Sequence, residues 1–189
     1  MTTQTDLTRM IQRGDLTGDY VIDPNHSRFG FVARHAMVTK VRGQFNQFEG
    51  TLHLDGDDPS ASHGELIIEV ASIDTRNQDR DAHIRSNDFL GLDQYPQIQF
   101  KTTRIVGEGD QFKVIGDLSV RGVIRPVALD VNVIGSTIDP WGNTRVGFEG
   151  ATSINRKDWG VNWNAVLEAG GVLVSEKVTL EFEIAAIKK

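Results

Sequence analysis

Apolar residues recur at every second position through most of this chain. A side-chain period of two is the mark of a β-strand that buries one face and wets the other. Ile98, Phe100 and Thr102 alternate with Gln99, Lys101 and Thr103. Phe112, Val114, Gly116, Leu118 and Val120 share one parity, and Lys113, Asp117 and Ser119 the other. Val123, Val127, Leu129, Val131 and Val133 form the next run, followed by Val146, Phe148, Gly150, Thr152 and Ile154. The last run sets Val178, Leu180, Phe182 and Ile184 against Lys177, Thr179, Glu181 and Glu183. GEGD (107–110) and DPWGN (139–143) supply the Gly, Asp and Pro expected of hairpin turns.

The first half follows the same rule with more irregularity. Residues 27–35 place Ser27, Phe29, Phe31, Ala33 and His35 on one face. In 41–54 the phase switches between Phe45 and Phe48, as at a β-bulge. Residues 64–72 set Leu66, Ile68 and Val70 opposite Glu65 and Glu69. The count is eight antiparallel strands, several of them longer than the usual 5–6 residues. Long consecutive strands joined by short turns predict an all-β, eight-stranded antiparallel up-and-down barrel. Polar outer faces exclude an outer-membrane barrel. Two segments read as short helices at an end: DLTRMIQR (6–13) and DTRNQDRDAHIRSNDF (74–89). In the second, Thr75 or Asn77 is the expected N-cap and Ile84 faces inward.

At 189 residues the chain is expected to form one barrel domain over 18–189 behind a polar, short helical segment at 1–17. A net charge of −6 with no Lys/Arg run argues against nucleic acid. With no cysteine, disulfides, thiolate nucleophiles and Cys-ligated zinc are excluded. No stretch approaches the roughly 20 apolar residues of a membrane-spanning helix. The first residues lack the apolar core of a secretory signal, so the expected compartment is the cytoplasm.

An eight-stranded barrel is just wide enough to be filled by side chains or to hold one small ligand. The residues expected to line its lumen are Phe29, Phe31, Phe45, Phe100, Phe112, Val114, Leu118, Leu129, Val131, Phe148, Leu180, Phe182 and Trp159. Ala33, Thr102, Gly116, Gly150 and Thr152 on the same parity are expected to leave space among them. A dozen strand residues rise roughly 40 Å, or about 30 Å of barrel height at a tilt near 40°. Such a cavity is long, narrow and apolar, and suits an extended apolar chain. The alternative is a solid packed core.

Five motifs then appear in order: IDPNHSRFGFVARH, VRGQFNQFEGTL, SIDTRNQDRDAHIRSNDFLGLDQYPQIQF, GDLSVRGVIRPVALDV and INRKDWGVNW. Together they resemble the YceI-like family of lipocalin-like, polyisoprenoid-binding proteins, from about Gly18 to Ala186. The resemblance implies an extended lipocalin-like barrel holding a long isoprenoid or similar lipid, with no cofactor and no catalysis. Many relatives carry a secretory leader, which this polar N-terminus does not resemble. Partners expected on this reading are a long-chain isoprenoid or other lipid, with a homodimer left open.

Up-and-down topology sorts the loops by barrel end. His35, the 74–89 stretch, Arg121, Arg125, Arg156, Asp158, Trp159 and Trp163 are expected at one elaborated end, and plain turns at the other. His35, Arg80, Asp81, His83, Arg125 and Arg156 are the candidates for a head-group site or lid. In the structural reading Arg80, Asp81, Arg85 and Asp88 bridge helix to barrel as charge pairs. A second reading makes His35, His83 and Asp79 acid–base groups of a small enzyme on an apolar substrate. No nucleophile, oxyanion motif or HExxH-type spacing accompanies them, so neither a catalytic nor a metal site is expected. A third is a ligand-free structural or stress protein. Arg125 has Glu176 as its expected partner, and the tryptophans of DWGVNW are expected to cap the core.

Overall fold

In the computed structural model, which describes residues 13–189, the alternating runs pair into one closed antiparallel sheet. Its strands are β1 (Gly18–Ile22), β2 (Arg28–His35), β3 (Thr39–Phe45), β4 (Phe48–Leu54), β5 (His63–Glu69), β6 (Ile73–Asp74), β7 (Gln97–Glu108), β8 (Gln111–Val120), β9 (Val123–Ile138), β10 (Thr144–Asn155) and β11 (Lys177–Lys188). Three pairs of these are halves of longer strands. The leg made of β1 and β2 runs antiparallel to the leg made of β3 and β4: Val21 pairs with Thr51 and Phe29 with Phe45. β5 and β6 form the third leg, and β7 to β11 each form one. β11 closes the ring against both β1 and β2. The result is the expected eight-stranded up-and-down barrel of lipocalin-like architecture.

The interruptions have local causes. Between β1 and β2, Pro24 offers no N–H to the ladder, and residues 23–27 loop out of it around a bond from the His26 N–H to the Asp23 carbonyl before the leg resumes. Between β3 and β4 the phase switch read from Phe45 and Phe48 is real: Asn46 bonds instead to Ser72, and Gln47 accepts from Glu69. Both phenylalanines therefore pack on the core although three residues apart. β1 was not among the expected strands, yet it joins β4 to β11. Its Tyr20 is fully buried with Val146 and Ala186 in a small second cluster.

Of the two expected helices, α1 (Gln78–Arg85) forms, with Asn77 as its N-cap accepting from the Arg80 N–H at 2.9 Å. The other, at 6–13, lies outside the described residues apart from Arg13, which opens a 3₁₀ turn to Leu16. α1 is short and polar, too short to persist on its own in water. Its neighbours hold it at the barrel end where β2, β8 and β10 finish.

Candidate functional site

The inward faces of the strands enclose a cavity of about 1270 Å³. A packed interior keeps voids to about the size of a water molecule, so the solid-core alternative is set aside. All thirteen residues expected to line the lumen border this cavity. It extends from Asp79, Arg80 and His83 of α1 to Leu16, Pro59 and Ser136 at the far end.

The small residues keep the space open in a way that parity alone does not reveal. Phe31 pairs directly across the ladder with Gly43, and Phe182 with Gly150. A Cβ placed on Gly43 would lie 2.4 Å from Phe31 Cζ, and one on Gly150 would lie 2.5 Å from Phe182 Cζ. Phe100 covers Gly116 in the same fashion. The rings thus lie against glycine backbone on the wall instead of projecting across the lumen. Gly116 and Gly150 are not gaps in the lining; neighbouring rings occupy them.

The helix end is closed by side chains bonded mostly to backbone. Thr75 is its hub. The buried Asp81 accepts from the Thr75 N–H at 2.9 Å and hydroxyl at 2.5 Å. Arg80 donates to the Thr75 hydroxyl at 2.8 Å and carbonyl at 2.7 Å, and Arg85 donates to the Ile73 carbonyl at 3.3 Å. The expected Arg–Asp charge pairs are therefore absent among the described residues, because Thr75 and nearby carbonyls lie closer to these groups than opposite charges do. Asp88 pairs with His83, at 2.8 Å. His83 also sets its ring edge-on to Trp163 and Phe89, at centroid distances of 4.6 and 5.0 Å.

Three more groups complete the plug. Arg156 is 5% exposed and donates to the carbonyls of Val161, Ser175 and Val174 at 2.7, 2.8 and 3.3 Å. Burial holds its guanidinium below the usual arginine value, and the charge of Glu176 opposes that. Trp159 is buried, its indole N–H bonded to the Leu118 carbonyl at 2.9 Å. Arg121, in the left-handed region (φ 51°) of the tight β8–β9 turn, donates to the carbonyls of Asn87 and Phe89.

Of the head-group candidates, His35, Arg80, His83 and Arg156 border the cavity, and Asp81 and Arg125 do not. Asp81 is spent on Thr75. Arg125 is exposed and reaches the Asp158 carbonyl at 3.2 Å, while Glu176 pairs with Lys157 at 2.6 Å and not with Arg125. Asp79 borders the cavity, but His83 takes its carboxylate from Asp88 rather than from the residue four before it. No group of three or more His, Asp or Glu is placed to hold a metal among the described residues. Sequence reasoning missed Thr75 as the hub, Arg34 and Leu173 on the rim, and Phe89 in the plug. Only Phe89, an aromatic after a polar helix, left a signal in the sequence.

The far end is less plain than its turns imply. Asp23 and Asp139, both with almost fully buried side chains, flank Arg145 at 2.7 and 2.8 Å. Burial alone would raise the Asp23 pKa. Hydrogen bonds from Arg145, His26 and the Asn25 N–H outweigh it and hold the carboxyl below its usual range. Asp139 is lowered likewise, by Arg145, Asn143 and Trp141 against burial. This cluster ties the β9–β10 hairpin to the break in the first leg.

Comparison with known proteins places these features in context. The model of the YceI-like domain matches residues 20–186. Protein YceI of Shigella flexneri is 37% identical over 148 residues, covering 77% of this chain and 78% of that protein. A UPF0312 protein of Pseudomonas aeruginosa is 36% identical over the same length, covering 77% and 78%. Among solved structures, BcnA of Burkholderia cenocepacia superposes with a TM-score of 0.77 at 21% identity, over 87% of this chain and 98% of that one. The YceI protein of Campylobacter jejuni gives 0.72 at 25% identity, over 82% and 90%. A polyisoprenoid binding domain of Saccharophagus degradans gives 0.69 at 16%, over 90% and 98%.

Proposed function

The chain belongs to the YceI-like domain family, and on that premise we propose that its lumen sequesters or carries the apolar chain of a polyisoprenoid or similar lipid, such as a prenyl diphosphate or quinone tail, without chemical change. The observation that carries this reading is the 1270 Å³ cavity walled by flattened phenylalanines and aliphatic side chains. Its volume exceeds the roughly 300–1,000 Å³ of common small-molecule pockets. Excluding an extended chain from water is worth about 25 cal/mol per Å² buried, before the costs of association. The Saccharophagus domain with the same barrel, described as polyisoprenoid binding, supports the ligand class.

Arg80, His35 and Arg34 border the helix end of the cavity and would receive a polar or anionic head group there. His83 is engaged by Asp88, Trp163 and Phe89, which suits a wall better than a proton-transfer group. The test is native mass spectrometry with denaturing extraction, followed by add-back of a long-chain prenol from a cyclodextrin carrier. Stoichiometric uptake is expected, and Leu129→Trp, which fills the lumen, should abolish it while the variant stays folded. Failure of the wild type to take up any prenyl lipid, with none co-purified, overturns the reading.

A further inference from the structure

Between Asp23 and Glu49 the chain has no carboxylate, although the whole protein carries a net charge of −6. Arg28, Arg34, Lys40 and Arg42 fall in this window, which is the β2–β3 hairpin. Arg28 pairs with Glu181, and the other three make no ion pair among the described residues. Arg34 and Lys40 sit directly opposite one another across the ladder. Like charges so placed repel and destabilise the pair.

The tip of this hairpin is apolar and strained. Ala36 and Met37, in the three-residue loop between the paired His35 and Thr39, have φ of 49° and 62°, left-handed values that Asn and Gly adopt most cheaply. Met37 is 63% exposed and Val38 77% exposed. The tip is strapped to the neighbouring loop: the Ala36 N–H bonds to the Leu173 carbonyl at 2.7 Å, and His35 bridges to Val174. The Met37 thioether rests against Gly171, and on that loop Val166 is 86% exposed. Ala33, Arg34, His35, Leu173 and Val174 also border the cavity, so the patch forms part of its rim.

We propose that this hairpin tip and the Val166 loop are a docking surface for an anionic lipid bilayer, apolar residues entering the interface and Arg34, Lys40 and Arg42 facing lipid phosphates. The fold gives up stability twice here, to backbone strain and to like-charge opposition. Apolar insertion uses the first feature, and anionic head groups relieve the second. Of the two carboxylates between Trp159 and Lys177, Glu176 is already paired with Lys157, and Glu168 alone leaves the patch cationic. The inference goes beyond the ligand reading, to which it adds a place where a water-insoluble chain enters.

The experiment is vesicle flotation of the full chain at low and high salt. One set of vesicles is pure phosphatidylcholine and the other is equal parts phosphatidylcholine and phosphatidylglycerol. Binding to the anionic vesicles is expected to exceed binding to the neutral ones and to fall with salt. Lys40→Gln with Arg42→Gln should weaken it about 30-fold, from two surface charges. Ala36→Asn with Met37→Gly installs residues that adopt these φ values cheaply, so it should hold or raise the melting temperature while weakening binding roughly tenfold. Equal binding to both vesicle types, or undiminished binding by the turn variant, overturns the proposal. So does concentration-dependent dimerisation that the turn variant abolishes, since the patch would then serve a second copy. Prenol uptake from cyclodextrin uses no vesicle. Its failure in the wild type would count against the ligand reading alone.

Discussion

Replacing Asp81 by Ala is expected to destabilise the barrel more than any other single change in the acidic and basic stretch around α1. Asp81 is 7% exposed and Thr75 3% exposed, so water does not readily replace either partner. One carboxylate oxygen accepts both the Thr75 N–H at 2.9 Å and its hydroxyl at 2.5 Å. Losing it strands two buried donors at about 1–3 kcal/mol each, and removes a negative charge from the first turns of a helix. The expected loss is about 3–4 kcal/mol, read as a shift of the urea midpoint by linear extrapolation with m unchanged. For a chain of this size that lowers Tm by roughly 6–15 °C. Asp81→Asn keeps the accepting oxygen and should cost only about 1 kcal/mol. In a Thr75→Val background the hydroxyl bond is already gone, so Asp81→Ala should cost about 1–1.5 kcal/mol less there. A loss below about 1 kcal/mol for Asp81→Ala, or additivity with Thr75→Val, would refute the assignment of Thr75 as the hub.

Three further outcomes are expected. Asp23 and Asp139 have lowered folded-state pKa values, so their bonds to Arg145 stabilise fully above the unfolded carboxylate value of about 3.9 and are lost as pH falls through the folded values. The Tm gap between wild type and Arg145→Met should therefore narrow on acidification from pH 7 toward pH 2, and a constant gap contradicts the clamp. Gly43→Ala meets Phe31 Cζ at 2.4 Å and Thr75 Cγ2 at 2.9 Å, so it should push the ring into the lumen. The expected cost is about 1–3 kcal/mol, with weaker prenol uptake in a titration; unchanged uptake would mean that the ring position does not set lumen width. His83→Ala loses two edge-on ring contacts and should cost about 1–2 kcal/mol in thermal unfolding while leaving uptake near wild type, whereas unchanged Tm would place His83 outside the plug.

Much of this molecule is legible in one dimension. Side-chain alternation along a strand is a local property of extended backbone, so Phe100, Leu118, Leu129, Phe148 and Phe182 could be assigned to an inner face before any partner strand was known. The phase switch at Phe45 and Phe48 was visible for the same reason; the helix cap was narrowed only to Thr75 or Asn77, and the Arg80 N–H bond to Asn77 decided between them. The five-residue β1, by contrast, is defined chiefly by what it joins. Tyr20 and Ile22 do alternate with Asp19 and Val21, but nothing in GDYVI says that it bridges β4 to β11 and closes the ring.

Composition and parity therefore determined that the chain is all-β, that its strands are long and that an apolar face lines the interior. Which residue meets which was decided only by the tertiary structure. Parity marked Gly116 and Gly150 as inward and small and said nothing of Gly43; ladder register put Phe31 over Gly43 and Phe182 over Gly150 and so kept the lumen open. The charges around α1 promised ion pairs, but Asp81 and Arg80 turned to Thr75, which the preceding strand delivers closer than any opposite charge. The physical reason is range. Strand periodicity is written into each residue's own backbone geometry, whereas hydrogen-bond partners and cross-strand neighbours depend on ångström-scale distances between segments far apart in the chain.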